Sequence, residues 1–155
     1  QVGVATLLVC EIYDKLIRFT PDRAKAEKFL KEFDSEKWAE NVRRVFGDTA
    51  PEIFAIEKKA GKNAPENHAR RMNAILDNWD EIHKTMVEEL PDYRELYEAM
   101  KAVGMPMTPE ELDLSRQDVR DAFICSRDMR DRYLMSSMLW DIGELYDFAD
   151  EFFPV

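Results

Sequence analysis

The stretch ELYEAMKAVGMPMTPEELDLSRQDVRDAFICSRDMRDRYLMSSMLWDIG, at residues 95–143, is the part of the chain that decides the fold. Its first apolar residues recur at helical spacing and stop at Gly104, which predicts a short amphipathic helix closed by a glycine turn. The sequence TPEE that begins at Thr108 is typical of a capped turn, because its threonine and glutamate can each bond a free backbone amide. This order of helix and turn contains no catalytic motif.

A second helix start follows the capped turn. Ser115 and Asp118 have the spacing of a capping box, and the residues after them predict a long helix over residues 116–145, with a break near Tyr133 as an alternative. The charged sequence RDMRDRY, at residues 127–133, falls in the middle of this predicted helix. The segment as a whole therefore predicts helices joined by short polar turns.

The composition of the whole chain favours the same fold class. The 155 residues include only five glycines, 45% of them are hydrophobic and 35% are charged, and no strand pattern is evident. A chain of this length buries roughly 70% of the surface that its unfolded form exposes, so it can form a real core. We predict a single all-helical domain over residues 1–155, a multi-helix bundle of about eight helices.

The charge balance argues against two classes of partner. A net charge of −10 repels the phosphate backbone, so nucleic-acid binding is disfavoured, and anionic membrane surfaces are disfavoured for the same reason. The first residues show no signal peptide, and no apolar run approaches the ~20 residues of a membrane span. Cys10 and Cys125 lack any metal-ligand spacing, and we interpret them as structural thiols of a cytoplasmic protein.

Further helix signals lie in the middle of the chain. Ser35 precedes an apolar stripe that ends at Gly47. The sequences TAPE at residues 49–52 and NAPE at residues 63–66 have the spacing of capping boxes, the second in a looser form. The apolar pattern after them continues without a gap and predicts one long helix over residues 66–90.

The first helix is unusual because apolar residues surround it. Val2, Val4, Leu7, Leu8 and Val9 fall on every side of the helical wheel, which predicts a buried central helix. No capping residue stands ahead of it, whereas natural N-termini are usually polar and frayed. We therefore expect a helix whose beginning has been cut away; the alternative is an unusual natural start.

Candidate catalytic and metal-binding residues are few. A continuous helix over residues 66–90 separates His68 from His83 by about 22 Å, so they could share a metal ion only if the helix folds back near Asn78. We interpret both as histidines packed in or beside the core, with one hydrogen bond each. The carboxylates lie mostly at helix ends and are not paired selectively. We assign no catalytic, cofactor-binding or metal-ligating residue in this chain.

The charge block at residues 127–132, from Arg127 to Arg132, has three interpretations. As a helix it contains two i, i+4 ion pairs, Arg127 with Asp131 and Asp128 with Arg132, which form a surface ladder. Alternatively the block is a partly buried network that docks this helix against another domain. A phosphate-binding role is the third option, although Arg130 and Arg132 would then point about 160° apart on a helix and could not share one ligand.

Both ends of the chain resemble one enzyme family. Residues 1–7, QVGVATL, are similar to the segment that follows the His-Gly-Glu metal-ligand motif of iron-containing alcohol dehydrogenase-like enzymes. The sequence MPMTPEEL at residues 105–112, then SR at residues 115–116 and RDMRDRY at residues 127–133, resembles the glycerol-1-phosphate dehydrogenase branch. The resemblance is clearest in residues 1–16 and 92–143 and less specific over residues 20–65.

The resemblance implies a two-domain parent enzyme. In that family an N-terminal α/β domain binds NAD(P), and the C-terminal helical domain, shared with dehydroquinate synthase-like enzymes, carries much of a divalent metal site for Zn, Ni or Fe. The implied reaction is the reversible reduction of dihydroxyacetone phosphate to sn-glycerol 1-phosphate, with the metal polarising the ketone. The chain would then be the helical domain alone, a fragment whose partner is the missing dinucleotide-binding domain.

The family's functional motifs do not map onto this chain. The last metal-ligating histidine would fall about three positions before Gln1, and the other ligands and the glycine-rich loop lie further upstream. We therefore expect no cofactor on this chain alone and no activity, and association into a homo-oligomer stays open. Where family members often have threonine after the tyrosine of RDMRDRY, Leu134 stands here. The alternatives are a glycerol dehydrogenase-like or 3-dehydroquinate synthase-like domain, or a stand-alone helical protein-interaction module.

Overall fold

The computed structural model describes residues 2–155; Gln1, the first residue of the segment that carries the resemblance, lies outside the described residues. Within this range the regular structure is entirely helical, which confirms the predicted all-α class. Residues 2–155 contain ten α-helices rather than about eight, partly because two predicted long helices are each divided. The helices are α1 (Val2–Leu16), α2 (Arg23–Glu32), α3 (Ser35–Phe46), α4 (Ala50–Ala60), α5 (Pro65–Asp77), α6 (Trp79–Glu89), α7 (Tyr93–Ala102), α8 (Arg116–Cys125), α9 (Met135–Asp141) and α10 (Leu145–Phe152), with short 3₁₀ turns at Gly47–Thr49 and Glu110–Leu112.

The short helix α9 lies at the centre of the main core. Six of its seven residues are buried, and Leu139 and Trp140 are almost completely removed from solvent. The rings of Phe29 on α2 and of Phe33, just after the end of α2, meet Trp140 edge to face, at centroid distances of 5.5 and 5.2 Å. A smaller apolar cluster, centred on Val42, joins α3 to α4. The helix that is buried on all sides is therefore α9.

Helix α1 does not have the predicted central position. It buries one stripe, formed by Val4, Leu7, Ile12 and Leu16, whereas Val2 is 81% exposed. Its apolar residues outside the stripe face solvent or only partly covered surface, so the prediction of a completely buried helix is wrong. The helical wheel alone could not distinguish burial on every side from an apolar surface left uncovered.

The predicted helix over residues 66–90 is divided at Asn78. This residue ends α5 and precedes α6, and its side-chain amide donates a hydrogen bond to the carbonyl of Ala74 at 2.8 Å. Asparagine side chains compete with the helical ladder in this way, which favours a helix end. The apolar residues of α5 and α6 keep the same helical spacing across Asn78, so the sequence pattern gives no sign of the break.

The predicted helix over residues 116–145 is also wrong. Helix α8 ends at Cys125, and the chain makes irregular turns over residues 126–134 before α9 begins at Met135. The charge block at residues 127–132 therefore lies in a connection and not at the centre of a helix. The alternative break near Tyr133 is close to the observed end of this connection.

Several predicted caps are confirmed and others are not. Ser115 and Asp118 form the reciprocal capping box at the start of α8, with hydrogen bonds of 3.0 and 3.1 Å to each other's backbone amides. Thr108 accepts a hydrogen bond from the amide of Glu111, as the capped turn predicts. Thr49 instead donates its hydroxyl to the carbonyl of Phe46 and does not cap α4. The looser box at residues 63–66 is also absent, since α5 begins after Ala64 without a side-chain cap.

Candidate functional site

The connection between α8 and α9, residues 126–134, is held in place by Lys62. The ammonium of Lys62 donates to the carbonyl of Arg127 at 2.7 Å and also to the carbonyl of Arg130. Lys62 is positioned by Gly61, which has a left-handed backbone with φ of +61° and ends α4. A residue distant in sequence therefore supplies the hydrogen bonds that a helix would otherwise have provided to this connection.

Arg127 and its neighbour Asp128 are the buried residues of the charge block, and Arg127 is the more deeply buried. Its side chain is 3% exposed, and its guanidinium carbon lies 4.0 Å from the centre of the Trp140 ring, a cation–π arrangement. Its two terminal nitrogens donate to Asp128 at 2.9 Å and to Asn63 at 2.7 Å. The Nε–H is buried without an acceptor. A buried guanidinium nitrogen without a partner is costly, and such atoms require an explanation.

Asp141, at the end of α9, is the centre of a second set of polar contacts. Its carboxylate accepts two hydrogen bonds from Arg71, from Nε and Nη2, each of 2.8 Å. The hydroxyl of Tyr133 donates to the same carboxylate at 2.8 Å. The ring of His68 lies with Nε2 3.0 Å from the backbone carbonyl of Asp141 and packs 4.2 Å from Trp140 between centroids. The network joins α5, α9 and the connection that precedes α9.

The two sets of groups meet at one small cavity, which we call the basic pocket. It has a volume of about 170 Å³. Four of its lining residues are cationic and two are acidic, whereas the chain as a whole carries a net charge of −10. The lining residues are Ala60, Lys62, Arg71, Arg127, Asp131, Arg132, Tyr133, Ser137 and Asp141. This local excess of positive charge makes the pocket the candidate functional site.

The ionisation of the groups around the pocket follows from burial and charge. Burial lowers the pKa of Lys62, and the neighbouring Arg127 lowers it further, so an anion in the pocket would oppose both effects. Burial and the adjacent Asp141 raise the pKa of Tyr133 and keep its hydroxyl protonated as a donor. Burial also raises the pKa of Asp128, against the opposing effect of Arg127.

Two surface clefts that are larger than the basic pocket have a different character. A cleft of about 470 Å³ is lined by Trp38, Arg44 and Asp121 among others, but there Arg44 and Asp121 neutralise each other in a two-point ion pair. A cleft of about 490 Å³ is almost entirely apolar and is bounded by Val9, Leu134 and other residues of α1, α8 and α9. Neither cleft has an unbalanced charge.

The histidines have the structural roles that the sequence predicted. His68 makes the hydrogen bond to Asp141 described above, and Nε2 of His83 lies 2.7 Å from the carbonyl of Ile17. Over residues 2–155, no group of three or more His, Cys, Asp or Glu side chains is arranged to hold a metal ion. The resemblance places the ligands of its divalent metal upstream of Gln1, outside this part of the chain.

The first interpretation of the charge block is wrong, and the second is not supported in its helical form. Because residues 126–134 are irregular, the two i, i+4 ion pairs of the surface ladder are not formed. Arg127 instead pairs with its neighbour Asp128, and both are buried. Arg132 lines the basic pocket whereas Arg130 does not. The objection that Arg130 and Arg132 could not share one ligand assumed a helix, which is absent here; the two arginines of the block that line one cavity are Arg127 and Arg132.

Sequence reasoning did not find most of the basic pocket. Lys62, Arg71 and Asp141 come from three separate segments, and none of them belongs to a recognisable motif. The available signal was Gly61, because a helix-ending glycine followed by lysine marks a turn in which a cation can reach a neighbouring connection. A glycine followed by a lysine is common at helix ends, and it does not identify the segment that the lysine will bond.

Comparison with known proteins adds no assignment: no protein-family model, curated protein or solved structure matches this chain. In the part of the chain that the structure describes, no helix combines the length and the hydrophobicity needed to cross a membrane.

Proposed function

We propose that this chain is the helical domain of a glycerol-1-phosphate dehydrogenase-like enzyme, which reduces dihydroxyacetone phosphate with NAD(P)H when joined to a dinucleotide-binding domain. The proposal depends chiefly on one sequence observation. The segments QVGVATL, MPMTPEEL and RDMRDRY resemble the family and occur in the family's order. The resemblance assigns the catalytic metal ligands and the dinucleotide loop to residues outside this chain.

The fold is compatible with this proposal. The described residues form helices without strands, as the helical domain of the family does. The segment MPMTPEEL contains the capped turn at Thr108, and the motif RDMRDRY supplies Arg127, Arg132 and Tyr133 to the basic pocket. Two of the three segments that resemble the family therefore form defined local structures.

The exposed apolar surface offers a second line of support. Val9 and Leu134, which both line the apolar cleft, are each 40% exposed, and Val2 is 81% exposed. Contiguous apolar surface of this kind is typical of interaction sites. A dinucleotide-binding domain that packs against the start of α1 would cover Val2 and Val9.

The proposal gives no metal-dependent step to this chain. His68 and His83 both bond backbone carbonyls, and the described residues contain no three-ligand cluster. The contribution of this domain would be to support the first helix, to position the other domain and to bind substrate groups. We therefore expect no dehydrogenase activity from the isolated chain.

The gene itself tests the proposal. We expect the codons upstream of Gln1 to encode alternating strands and helices, a glycine-rich loop and a His-Gly-Glu motif close to Gln1. An open reading frame that begins with a methionine immediately before Gln1 would overturn the proposal and favour the stand-alone interaction module. Glycerol dehydrogenase and 3-dehydroquinate synthase activities would be separated by assaying phosphorylated against unphosphorylated substrates.

A further inference from the structure

We propose that the basic pocket binds a phosphate-class dianion, held by Lys62, Arg127 and Arg132. The binding itself depends only on the pocket. The identification of the dianion as the phosphate group of a substrate depends on the proposed function.

The first argument is the unbalanced charge. Arg71 is neutralised by Asp141 in a two-point ion pair, and Arg127 is partly neutralised by Asp128. Within residues 2–155, Arg132 makes no ion pair, and Lys62 bonds only neutral carbonyl groups. Two cations therefore remain without a paired carboxylate at one cavity, in a protein that is strongly acidic elsewhere. The carboxylates of Glu57, Asp128 and Asp131 act on Lys62 through their charge and raise its pKa. None of them forms an ion pair of 4.0 Å or less with Lys62 or Arg132 within the described residues.

The second argument is the supply of hydrogen-bond donors. An ammonium has three donors, and Lys62 uses two of them on the carbonyls of residues 127 and 130. The buried Nε–H of Arg127 has no acceptor, although its guanidinium is otherwise fixed by Asp128 and Asn63. The free guanidinium of Arg132 adds a planar fork that matches the oxygens of a phosphate group. The donors without partners thus come from three separate side chains on one cavity.

The third argument is size and the fixed position of the donors. The cavity volume of about 170 Å³ is roughly ten times the volume that a single water needs, so a tetrahedral dianion fits without movement of the helices. Arg127 is held against Trp140, and Lys62 is held by two carbonyls, so little side-chain entropy would be lost on binding. A neutral ligand of the same size would leave the excess charge unbalanced.

Phosphate binding to the 155-residue chain tests the inference. Inorganic phosphate is titrated at pH 7.5, where the dianion dominates, against chloride of equal ionic strength, with binding followed by amide chemical shifts and by calorimetry. We expect saturable binding with a Kd of about 1 mM or lower, and shifts concentrated at residues 61–63 and 126–134. Sulfate, a dianion of the same shape, should compete, and glycerol should not bind. Glycerol 1-phosphate separates the two sources of the dianion: it should bind more tightly than inorganic phosphate if the pocket serves a phosphorylated substrate, and equally if it serves free phosphate.

Two exposed arginines of the same connection provide matched variants. Arg132→Gln should weaken phosphate binding about tenfold, whereas Arg130→Gln, which removes the same charge outside the pocket lining, should change Kd less than about twofold. Both side chains are exposed, so neither substitution should disturb the core. Equal weakening by the two substitutions would overturn the inference, because it would indicate only a general charge effect. The absence of saturable binding would also overturn it, while the dehydrogenase proposal, which is tested on the gene, would be unaffected.

Discussion

The guanidinium of Arg71 holds both carboxylate oxygens of Asp141, with Nε and Nη2 each 2.8 Å from an oxygen. The carboxylate is almost completely buried at the end of α9, and the arginine side chain is 22% exposed on α5. A buried charge is stable only while its partner remains, because desolvation is not otherwise compensated. The pair therefore fixes the orientation of α5 relative to the central helix and places one wall of the basic pocket.

Removal of Arg71 should destabilise the fold strongly. We expect Arg71→Met to lower the free energy of unfolding by about 3 kcal/mol, since Asp141 would keep only the hydrogen bond from Tyr133. Arg18→Met is the matched control, because Arg18 pairs with Asp14 on the surface and such pairs contribute about 0.2–1 kcal/mol. Urea unfolding followed by circular dichroism measures both. Similar losses in the two variants would show that the Asp141 network does not stabilise the core.

Gly143, between α9 and α10, should not tolerate a side chain. Its φ is +77°, and a Cβ atom there would lie 2.9 Å from Cβ of Phe29 on α2. We expect Gly143→Ala to cost about 2–4 kcal/mol, from the left-handed backbone and the overlap together. Gly104→Ala is the control, since its φ is +69° and nothing lies within 4 Å, and its cost should be about 1–2 kcal/mol. Equal costs would contradict the close approach of α2 to this turn.

The pKa of His68 should lie below the ordinary value for histidine. Burial lowers its pKa, and the nearby Arg71 and Arg127 act in the same direction, whereas the hydrogen bond to Asp141 and the charge of that residue oppose them. The unfolded state therefore binds the proton first as the pH falls below about 6.5, so stability decreases as the pH falls from there to the lowered pKa of the folded state, and the loss persists at lower pH. The imidazole proton shifts of a His83→Gln variant, which retains one histidine, report the titration directly. A midpoint at or above 6.5 would contradict the burial of His68 against Trp140.

The raised pKa values of Glu57 and Asp128 act in the opposite direction. Burial raises the pKa of both carboxyl groups, so the folded state binds a proton more readily than the unfolded state. The stability that these two groups contribute is therefore lost as the pH rises from about 4, their ordinary pKa, through their raised pKa in the folded state. The dependence of overall stability on pH is a sum of opposing effects. For this reason the titration of His68 is better followed at the residue than through global unfolding.

Cys125 should be inert in the folded protein. It is 1% exposed, and burial raises the pKa of its thiol to about 12, so almost no thiolate is present at neutral pH. Cys10 is partly exposed and should react slowly with a disulfide reagent at pH 8. We expect one thiol to be labelled in the native protein and two after unfolding, with no native labelling in Cys10→Ala. Native labelling of that variant would contradict the packing of α8 against α3.

The sequence predicted those features that depend on neighbouring residues. The capping box of Ser115 and Asp118 and the glycine turn at Gly104 involve groups within a few positions of each other, and both are present. The helical class followed from the composition and the apolar periodicity. Local propensity and local hydrogen bonding were sufficient for these elements.

The features that the sequence did not predict depend on distant contacts. Residues 126–134 have an apolar pattern that continues a helix, but Lys62 bonds the carbonyls of this connection, and Arg127 pairs with Asn63 and lies over Trp140. No periodicity encodes these contacts, and the hydrogen bonds of Lys62 and Asn63 to this connection join residues more than sixty positions apart. The central position of α9 was missed for a related reason, since a seven-residue helix carries too few turns for its burial to be evident.

The most direct test of the central claim is a dehydrogenase assay on the full product of the gene that encodes this chain. With a divalent metal present, we expect dihydroxyacetone phosphate to drive the oxidation of NADH or NADPH, and unphosphorylated dihydroxyacetone to be a much poorer substrate. The 155-residue chain alone should show no turnover above buffer. Turnover by the isolated chain, or a full-length product that ignores the phosphorylated ketone, would contradict the assignment of this chain as the helical domain of such an enzyme.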